Sequence, residues 1–290
     1  MLKKKAKGEE NMNKKTYPHR KETRALIFFD FDETYFPHAC TVEQLAMLQQ
    51  MEMYLHDVCH QYHVKIGWVT GSSIAHIESK MQKANLTYWP HFISSNLGTE
   101  LYMIDEEGNT NRLSEWEAKI EASGFSKEAV QSLLHQLCTD YQVVLTPQTQ
   151  FGQQGYKMNY YYYTKSEQDT HSALGIIRKL ADKYEVEVNI NRCNPKAGDP
   201  ENAYDVDFIP KGTGKAATVH FMKAYYDVSH HETLAFGDSG NDIDMLKAVK
   251  HGYLLFNATD EAKSLHAQHT SAAYGEGIME VCQQVFSSIK

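Results

Sequence analysis

The sequence predicts an α/β fold, in which a doubly wound parallel sheet is interrupted by an inserted α+β domain. Short apolar runs that end in polar or acidic residues alternate with segments of helical period in the first and last parts of the chain. The middle of the chain instead shows the order helix, strand, strand, helix, strand. The 290 residues, of which 42% are apolar and 23% charged, fit a globular protein of about two domains at roughly 150 residues each.

Three apolar runs in the first part of the chain predict the first strands of the parallel sheet. Such strands are buried on both faces and therefore read as continuous apolar sequence. They are predicted from Ala25, at Val64–Val69 and at His91–Ser95. The segment between the first two strands carries apolar residues at helical spacing and predicts a helix over about 41–61, with Thr41 as the N-cap. After the second strand come Thr70-Gly71-Ser72-Ser73 and then a predicted helix to about Ala84.

An inserted domain is predicted over residues 109–204, between the two parts of a core domain at 25–108 and 205–290. Its predicted elements are a helix at Ser126–Thr139, a strand at Gln142–Thr146, a strand at Tyr156–Tyr163, a helix at Glu167–Tyr184 and a strand at Glu187–Asn191. The core is predicted to resume with a strand at Val206–Pro210, a helix from about Gly214, a strand at Thr233–Asp238, a helix from Asn241 and the strand GYLLF.

Charge and composition exclude several classes of protein. Lysine and arginine number 29 and aspartate and glutamate 37, giving a net charge of −8, whereas nucleic acids and anionic membranes require a concentrated basic surface. No stretch approaches about 18 consecutive apolar residues. Residues 1–24 are basic without an apolar core, which predicts a disordered tail rather than a secretory signal, and a cytoplasmic location is expected. The five scattered cysteines predict reduced thiols.

Acidic residues follow two apolar strands that lie far apart in the sequence. Asp30 and Asp32 come directly after the first strand, while Asp238 and Asp242 belong to the segment GDSGND, which ends the strand at 233–238. Because the carboxyl ends of parallel strands meet at one edge of a sheet, these carboxylates are expected to lie close together and to need a cation or a proton. An all-oxygen cluster suits Mg²⁺. For the first pair alone, capping of the next helix is the alternative interpretation.

Two further segments at strand ends can bind phosphate. Thr70-Gly71-Ser72 combines a hydroxyl with free backbone N–H groups at a helix N-terminus, which favours an anion, although simple N-capping is the alternative. Lys215 follows a glycine-rich turn that can bring its ammonium to a phosphate, whereas most lysines are solvated surface residues. A nucleophile candidate, a nearby acid, a metal site and two phosphate-binding groups together indicate phosphoryl transfer.

The motifs DxDxT, TGSS, Lys215 and GDSGND, in this order, resemble those of the haloacid dehalogenase (HAD) superfamily of phosphatases. The resemblance covers the chain from Ala25 onward. It implies a Rossmann-like HAD core and a C2-type (C2B) cap, the form found in sucrose-phosphate phosphatase, phosphomannomutase and Cof-like sugar phosphatases. The phrases DFDETYFPH, GWVTGSSI, INRCNP and YDVDFIP are also similar to those of phosphatases that act on kanosamine 6-phosphate in the synthesis of amino sugar antibiotics.

The resemblance implies a role for each motif residue. Asp30 is the expected nucleophile, which forms an aspartyl-phosphate, and Asp32 is the expected acid and base, which protonates the leaving sugar oxygen and then activates water. Thr70, Gly71 and Lys215 are expected to hold the phosphoryl oxygens. The implied cofactor is Mg²⁺. Its implied ligands are Asp30, the backbone carbonyl of Asp32, Asp238, and Asp242 through water or from the second layer around the metal.

The residues that contact substrate are expected on the cap. The candidates are Lys157, Asn159, Asn191, Arg192, Asp205 and Asp207. Asp205 and Asp207 stand where related caps carry sugar-binding acids, and Lys157 resembles a cap lysine of sucrose-phosphate phosphatase. Period-two spacing places Lys157 and Asn159 on one face of a strand. The alternative is that these side chains form the polar face that any half-buried sheet requires.

Three other features allow two interpretations each. Glu33 stands where the HAD family usually has a small residue, and it either recognises a substrate ammonium or faces solvent. His38 either lines the pocket or is an ordinary polar loop residue. Within Tyr160–Tyr163, we expect two tyrosines to pack on cap helices and two to lie on the opposite face, with a stacking platform for a sugar as the alternative.

The leading predicted function is hydrolysis of a hexose phosphate, a small-molecule partner. Kanosamine 6-phosphate is the leading substrate, and sucrose phosphate or another sugar phosphate is the alternative. A phosphomutase of the phosphomannomutase type would have to bind a second phosphate in the cap, for which arginine is best suited. Residues 109–204 contain only the arginines Arg112, Arg178 and Arg192, which favours hydrolysis. A phosphosugar sensor without turnover is disfavoured because both Asp30 and Asp32 are present.

Overall fold

The computed structural model describes residues 15–148, 155–193, 195 and 198–287. Its strands are β1 (Lys15–Thr16), β2 (Ala25–Phe29), β3 (Val64–Val69), β4 (Tyr88–Trp89), β5 (Phe92–Ser95), β6 (Glu100–Ile104), β7 (Thr110–Arg112), β8 (Thr146–Pro147), β9 (Met158–Tyr163), β10 (Val186–Arg192), β11 (Ala203–Pro210), β12 (Thr233–Gly237) and β13 (His251–Leu254). Its helices are α1 (Val42–Tyr62), α2 (Ile74–Ala84), α3 (Ser114–Ala122), α4 (Lys127–Tyr141), α5 (Glu167–Lys183), α6 (Lys215–Tyr225), α7 (Ile243–Lys247), α8 (Asp260–Leu265) and α9 (Tyr274–Ser287). Within the described residues, every helix is too short or too polar to span a lipid bilayer.

A seven-stranded sheet forms the core domain, in the order β13-β12-β2-β3-β5-β6-β7. The strands from β13 to β5 are parallel, and β6 and β7 run antiparallel to their neighbours. Alternate residues of β2 face opposite sides of the sheet: Ile27 and Phe29 pack in the apolar cluster with α1, α2 and α9, and Leu26 and Phe28 in the cluster with α3, α6 and α7. Burial on both faces explains the continuous apolar sequence. The predicted doubly wound parallel sheet is confirmed.

The strand order also determines where the polar residues meet. Strands β12, β2 and β3 are neighbours and run in the same direction, so their carboxyl ends form one continuous edge of the sheet. Asp238 follows β12, Asp30 follows β2 and Thr70 follows β3. The three sequence motifs are therefore adjacent at this edge.

A second, antiparallel sheet forms the cap, in the order β10-β11-β9-β8. Helices α4 and α5 cover one of its faces with an apolar core. Tyr160 and Tyr162 of β9 lie in this core, whereas Tyr161 lies in a separate buried group and Tyr163 is 48% exposed. The predicted division of these four tyrosines between the two faces of the sheet is confirmed.

The boundaries predicted between cap and core are wrong at both ends. Val206–Pro210, predicted as a core strand, belongs to β11, which pairs antiparallel with β9 and β10 of the cap. Strand β7 and helix α3, predicted within the cap, belong to the core, because β7 pairs with β6 and Trp116 packs in a core cluster. The strand predicted at 142–146 is reduced to the short β8. An apolar run shows that a strand is buried, but its sheet depends on contacts with distant strands.

The disordered tail predicted to extend to Arg24 is wrong for residues 15–24, because they contain a strand and a buried side chain of the folded core. Residues 1–14 lie outside the described residues, but β1 pairs in parallel with β4. The side chain of Tyr17 is fully buried, and its hydroxyl lies 2.8 Å from the hydroxyl of Tyr35. The basic composition of the segment concealed this apolar anchor.

The turn between β5 and β6 supports the loop that follows β3. Asn96, Leu97 and Gly98 all have left-handed backbone conformations, with φ values of 49°, 57° and 77°. The amides of Asn96 and Leu97 donate to the carbonyls of Ser72 and Thr70, at 3.0 Å each. Gly98 packs so closely against Gly214 that a Cβ atom would lie 2.8 Å from the Gly214 backbone nitrogen. This contact ties the turn to the start of α6.

We expect Gly98→Ala to destabilise the protein more than Gly124→Ala. Both glycines have positive φ, and left-handed strain costs an alanine about 1–2 kcal/mol. At Gly98 the methyl group also meets the Gly214 backbone, which adds about 1–3 kcal/mol, whereas a Cβ at Gly124 meets nothing within 4 Å. Urea denaturation of the two variants measures the difference, and equal midpoints would contradict this close contact.

Candidate active site

The first site residue, Asp30, lies at the end of β2 and is buried, with 5% of its surface exposed. The Asp30 amide donates to the carbonyl of Phe236 at 2.9 Å, which continues the hydrogen bonding of β2 to β12. Its own carbonyl accepts the amide of Tyr35 at 3.2 Å, so the following loop folds back on it. These two hydrogen bonds hold the backbone of Asp30 in place and so fix the point from which its side chain extends.

The loop after β12 places two further carboxylates beside Asp30. Asp242 packs against Gly237, where a Cβ atom would lie only 2.4 Å from the Asp242 Cβ, so only glycine fits. The Asp242 Oδ2 accepts the amides of Asp238 and Ser239, at 3.0 and 3.1 Å. Asp238 Oδ1 accepts the hydroxyl of Thr34 at 3.2 Å, which links the two loops.

Lys215, the first residue of α6, joins these carboxylates. Its ammonium lies 2.7 Å from Asp30 Oδ1, 2.6 Å from Asp242 Oδ1 and 2.9 Å from Asn241 Oδ1. Burial disfavours the ammonium, but the charges of Asp242 and Asp30 outweigh burial and raise the pKa of Lys215 above its usual range. The buried lysine therefore stays charged at the floor of the site.

Asp30, Asp238 and Asp242 can hold a metal ion. Each offers a carboxylate oxygen, these oxygens lie within 4.8 Å of one another, and all three residues are buried. Burial, together with the neighbouring carboxylates, raises the pKa of Asp30 to about 7 and raises the pKa of Asp238 as well. A divalent cation among them would remove this repulsion. The all-oxygen donor set fits a hard cation such as Mg²⁺.

Asp32 points to a different set of partners. Its carboxylate accepts the hydroxyl of Ser72 at 2.6 Å and contacts the ammonium of Lys80 and the ring of His38. Burial disfavours the ionised carboxylate, but the hydrogen bonds from His38, Lys80 and Ser72 prevail and hold the pKa of Asp32 below its usual range. The predicted metal contact of Asp32 through its backbone carbonyl stays a prediction.

Lys80 is a site residue that the sequence analysis missed. It lies in the second half of α2, the helix that follows the TGSS motif, and nothing in its local sequence distinguishes it from a solvated helix lysine. The packing of α2 behind the loop after β3 brings it to Asp32. His38, by contrast, was a candidate, and the structure places it in the lining of the pocket.

A cavity of about 540 Å³ lies between this edge of the core sheet and the polar face of the cap sheet. On the core side, its lining includes Asp30, Asp32, Thr70, Gly71 and Asp238. On the cap side, its lining includes Lys157, Asn159, Asn191, Arg192, Asp205 and Asp207. The structure therefore brings the predicted core and cap residues to one cavity, with Lys215 and Asp242 directly behind Asp30.

Lys157 connects the cap with the core. Its ammonium donates to the carbonyl of Gly71 at 3.1 Å, so a cap cation sits directly beside the predicted phosphate loop. Thr70 in the same loop is buried, and its hydroxyl oxygen accepts the amide of Ser72 at 3.0 Å. The loop after β3 is thus held by its own hydrogen bond between Thr70 and Ser72 and by the contact of Gly71 with the cap residue Lys157.

The centre of the cap face carries a row of polar residues on three adjacent strands. Asp207 of β11 stands opposite Asn159 of β9 and Asn189 of β10. Asn189 Nδ2 donates to Asp207 Oδ2 at 3.3 Å, whereas the buried Oδ1 of Asn159 has no hydrogen-bond partner among the residues that the structure describes. Burial raises the pKa of Asp207, and the charge of Lys157 opposes this rise. The free amide oxygen leaves an acceptor for a ligand donor.

Asp205 lies in an acidic part of the cap face, near Asp199 and Asp207. Its carboxylate accepts a hydrogen bond from the side-chain Nε2 of Gln148 at 2.8 Å. Burial, and the charges of Asp207 and Asp199, raise its pKa to about 7. Among the described residues, no lysine, arginine or histidine forms an ion pair with Asp205. A ligand cation would therefore be favoured at this position.

Glu33 was predicted either to recognise a substrate ammonium or to face solvent, and the structure shows a third arrangement. It adopts a left-handed backbone with φ of 59°. One carboxylate oxygen accepts the hydroxyl of Tyr274 at 2.6 Å, and the other accepts the amide of His38 at 2.8 Å. Glu33 lines the cavity, but its carboxylate is engaged by the protein and anchors the loop after Asp32.

The fold and the site together define a phosphatase of the HAD type. The family model of sucrose-6F-phosphate phosphohydrolase matches residues 23–284. The chain belongs to this family and is a phosphoric monoester hydrolase. The resemblance drawn from the motifs is confirmed.

Two curated relatives cover almost the whole chain. Kanosamine-6-phosphate phosphatase of Bacillus subtilis (strain 168) is 46% identical over 263 residues, which are 91% of this chain and 93% of the relative. An uncharacterized hydrolase of Staphylococcus aureus (strain MRSA252) is 32% identical over 257 residues, which are 88% of this chain and 94% of the relative.

Two solved structures share the architecture. The haloacid dehalogenase-like hydrolase yhjK from Bacillus subtilis has a TM-score of 0.74 and 43% identity, and the alignment covers 94% of this chain and 96% of that one. The sucrose-phosphatase from Synechocystis sp. PCC6803 has a TM-score of 0.71 and 16% identity, with coverages of 91% and 98%. The second comparison shows the fold alone.

We expect Mg²⁺ to raise the melting temperature of the wild-type protein but not that of Asp238→Asn. A cation that binds only the folded state at 100 times its Kd stabilises that state by about 2.7 kcal/mol. Thermal unfolding in Mg²⁺ and in EDTA measures the shift. Asp57→Asn, on the exposed side of α1 with 84% of its side chain accessible, is the control. An equal Mg²⁺ shift in both variants would place the cation elsewhere.

Proposed function

We propose that this protein is a Mg²⁺-dependent phosphatase that hydrolyses a hexose phosphate, with kanosamine 6-phosphate as the substrate, through an aspartyl-phosphate on Asp30. The observation that supports this most is the contact of the buried Asp30 with Lys215 at the floor of a cavity whose roof is the polar cap. The 46% identity to a kanosamine-6-phosphate phosphatase supports the substrate.

The reaction would proceed in two displacements at phosphorus. In the first, a carboxylate oxygen of Asp30 attacks phosphorus, and the bond to the sugar oxygen breaks as Asp32, which carries the proton it took up in the preceding turnover, gives that oxygen the proton. In the second, water attacks phosphorus and loses a proton to Asp32, which releases phosphate and restores Asp30. Lys215 would neutralise charge at Asp30 in both displacements. The backbone N–H of Thr70 already donates to the carbonyl of Ser94, so the Thr70 hydroxyl and the backbone N–H of Gly71, ahead of α2, would hold phosphoryl oxygens.

The acidic group at the sheet edge would hold the metal. Asp30 and Asp238 are suited to direct contact, with the backbone carbonyl of Asp32 as the family resemblance implies. When bound, Mg²⁺ would neutralise charge on the carboxylates and the phosphoryl group. Both oxygens of Asp242 already accept hydrogen bonds from Lys215 and from backbone amides, which supports a contact through water for this residue.

The charge of the cap favours an amino sugar. Within the described part of the cap, Asp199, Asp205 and Asp207 line the cavity together with the cations Lys157 and Arg192. Kanosamine 6-phosphate differs from glucose 6-phosphate by an ammonium in place of one hydroxyl group, and a buried carboxylate binds an ammonium more strongly than a hydroxyl. With this substrate, the protein would act in the cytoplasm, in the biosynthesis of an amino sugar antibiotic.

The arginines disfavour a phosphomutase. Arg112 lies on β7 of the core sheet and is paired with Glu100 and Glu117, at 2.9 and 3.3 Å. Among the described residues, Arg192 is the one arginine that lines the cavity. A second phosphate would therefore lack the paired arginine contacts that bind such groups well.

We expect Asp30→Asn to lose at least about 10⁴-fold in kcat, because removal of a nucleophile abolishes the covalent route. The asparagine oxygen can still accept from Lys215, so the variant is expected to remain folded. Phosphate release and circular dichroism measure the two properties. Substantial turnover in a folded Asp30→Asn would refute the assigned nucleophile.

We expect Asp205→Asn to lower kcat/KM for kanosamine 6-phosphate by about 10- to 100-fold, the value of one charge-assisted hydrogen bond. The loss for glucose 6-phosphate is expected to stay below about threefold, because a hydroxyl gains little from the charge. Asp182→Asn, an exposed cap position paired with Lys211, is the control. Equal losses of kcat/KM for the two sugar phosphates would show that Asp205 does not distinguish the ammonium from a hydroxyl group.

A further inference from the structure

Side chains from three segments converge on the carboxylate of Asp32. Ser72 Oγ lies 2.6 Å from Oδ2, and His38 Nε2 lies 3.0 Å from Oδ1. The ammonium of Lys80 contacts Oδ1 as well, and it lies 3.4 Å from His38 Nε2. The loop after β2, the loop after β3 and helix α2 therefore all contribute to holding this one carboxylate.

Asp32 stands apart from the other acids of the site. The three acids of the candidate metal site are buried, whereas the Asp32 side chain is 24% exposed at the cavity wall. A carboxylate in such a position has several accessible rotamers, and hydrated ones compete with the one that faces the substrate. The contacts with Lys80 and His38 select one of them.

The conformation of Lys80 is unusual for a helix lysine. Its side chain is only 29% exposed, so the ammonium turns back toward the site instead of extending into water. Its described hydrogen-bonding contacts are with Asp32 and His38. Lys83, one turn later on the same helix, is exposed. The two lysines therefore form a natural comparison between an engaged and a solvated cation.

We infer that Lys80, supported by His38, is a positioning residue for the departure of the leaving group: it holds the Asp32 carboxylate at the cavity, facing the bond that breaks. The inference rests on the proposed function, which gives Asp32 the transfer of a proton to the leaving oxygen. Lys80 acts through Asp32, because its contacts are with that carboxylate and not with the candidate metal site or the phosphate loop.

A positioning role of this kind makes the effect of Lys80 depend on the leaving group. Phenolate is a basic leaving group and needs a proton from Asp32 as it departs, whereas p-nitrophenolate is stable enough to depart without one. Displacement of the Asp32 carboxylate should therefore slow the first reaction and spare the second. A loss of folding or of phosphate binding would slow both equally.

The test compares phenyl phosphate with p-nitrophenyl phosphate, which differ by one nitro group, in the presence of Mg²⁺. The ratio kcat/KM reports the steps up to the departure of the leaving group and is independent of the later hydrolysis of the aspartyl-phosphate. Lys80→Met keeps the length of the side chain and removes its charge, and Lys80→Arg keeps charge and donors. Lys83→Met is the matched control on the same helix.

We expect Lys80→Met to lower kcat/KM for phenyl phosphate by at least about 10-fold and for p-nitrophenyl phosphate by less than about threefold, as for other losses of general acid assistance. Lys80→Arg should recover most of the loss, and Lys83→Met should match the wild type. Equal losses for both substrates, or no loss for either, would overturn the inference.

Failure of the proposed function would look different. A wild-type protein that hydrolyses the aryl phosphates but no hexose phosphate would refute the proposed substrate, and the ratio between the two aryl phosphates would still decide the role of Lys80. A wild-type protein that hydrolyses none of these compounds would overturn both.

Discussion

The contact of the Lys215 ammonium with Asp30 and Asp242 is the interaction on which the rest of the site depends. Three buried carboxylates at one sheet edge repel one another, and this lysine is the cation that the protein itself places among them. Removal of one partner from such a buried pair costs about 3–5 kcal/mol, because the other charge is left uncompensated. The close packing of Gly98 on Gly214 and of Asp242 on Gly237 brings the partners together.

The core and the cap present differently charged surfaces to the cavity. The core concentrates carboxylates that need cations, which suits a metal ion and a phosphoryl group, and it keeps Lys215 beneath them. The cap presents amides and a further group of acids, with Lys157 reaching the Gly71 carbonyl. In the proposed reaction, phosphate and leaving group would therefore meet different surfaces, so that the sugar specificity could change on the cap without any change in the chemistry below.

The core strands and their acidic ends could be predicted, because burial on both faces leaves a continuous apolar signal and parallel strands end at a common edge. Asp30, Thr70 and Asp238 followed from that rule. Lys80 and Tyr17 could not be found, because their neighbours are distant in sequence and their local sequence is that of a solvated segment. The sheet to which Val206–Pro210 belongs was missed for a related reason: its partners β9 and β10 are known only after folding.

The hydrogen bond between Tyr17 and Tyr35 extends the folded unit upstream of the family match. The family match begins at residue 23, but Tyr17 lies upstream, and the amide of Tyr35 donates to the carbonyl of Asp30, the proposed nucleophile. A polypeptide trimmed to the family boundary would leave the Tyr35 hydroxyl buried without a partner, at a cost of about 1–3 kcal/mol. Affinity tags and protease cleavage sites therefore belong ahead of strand β1, so that Tyr17 and the support of Asp30 are kept.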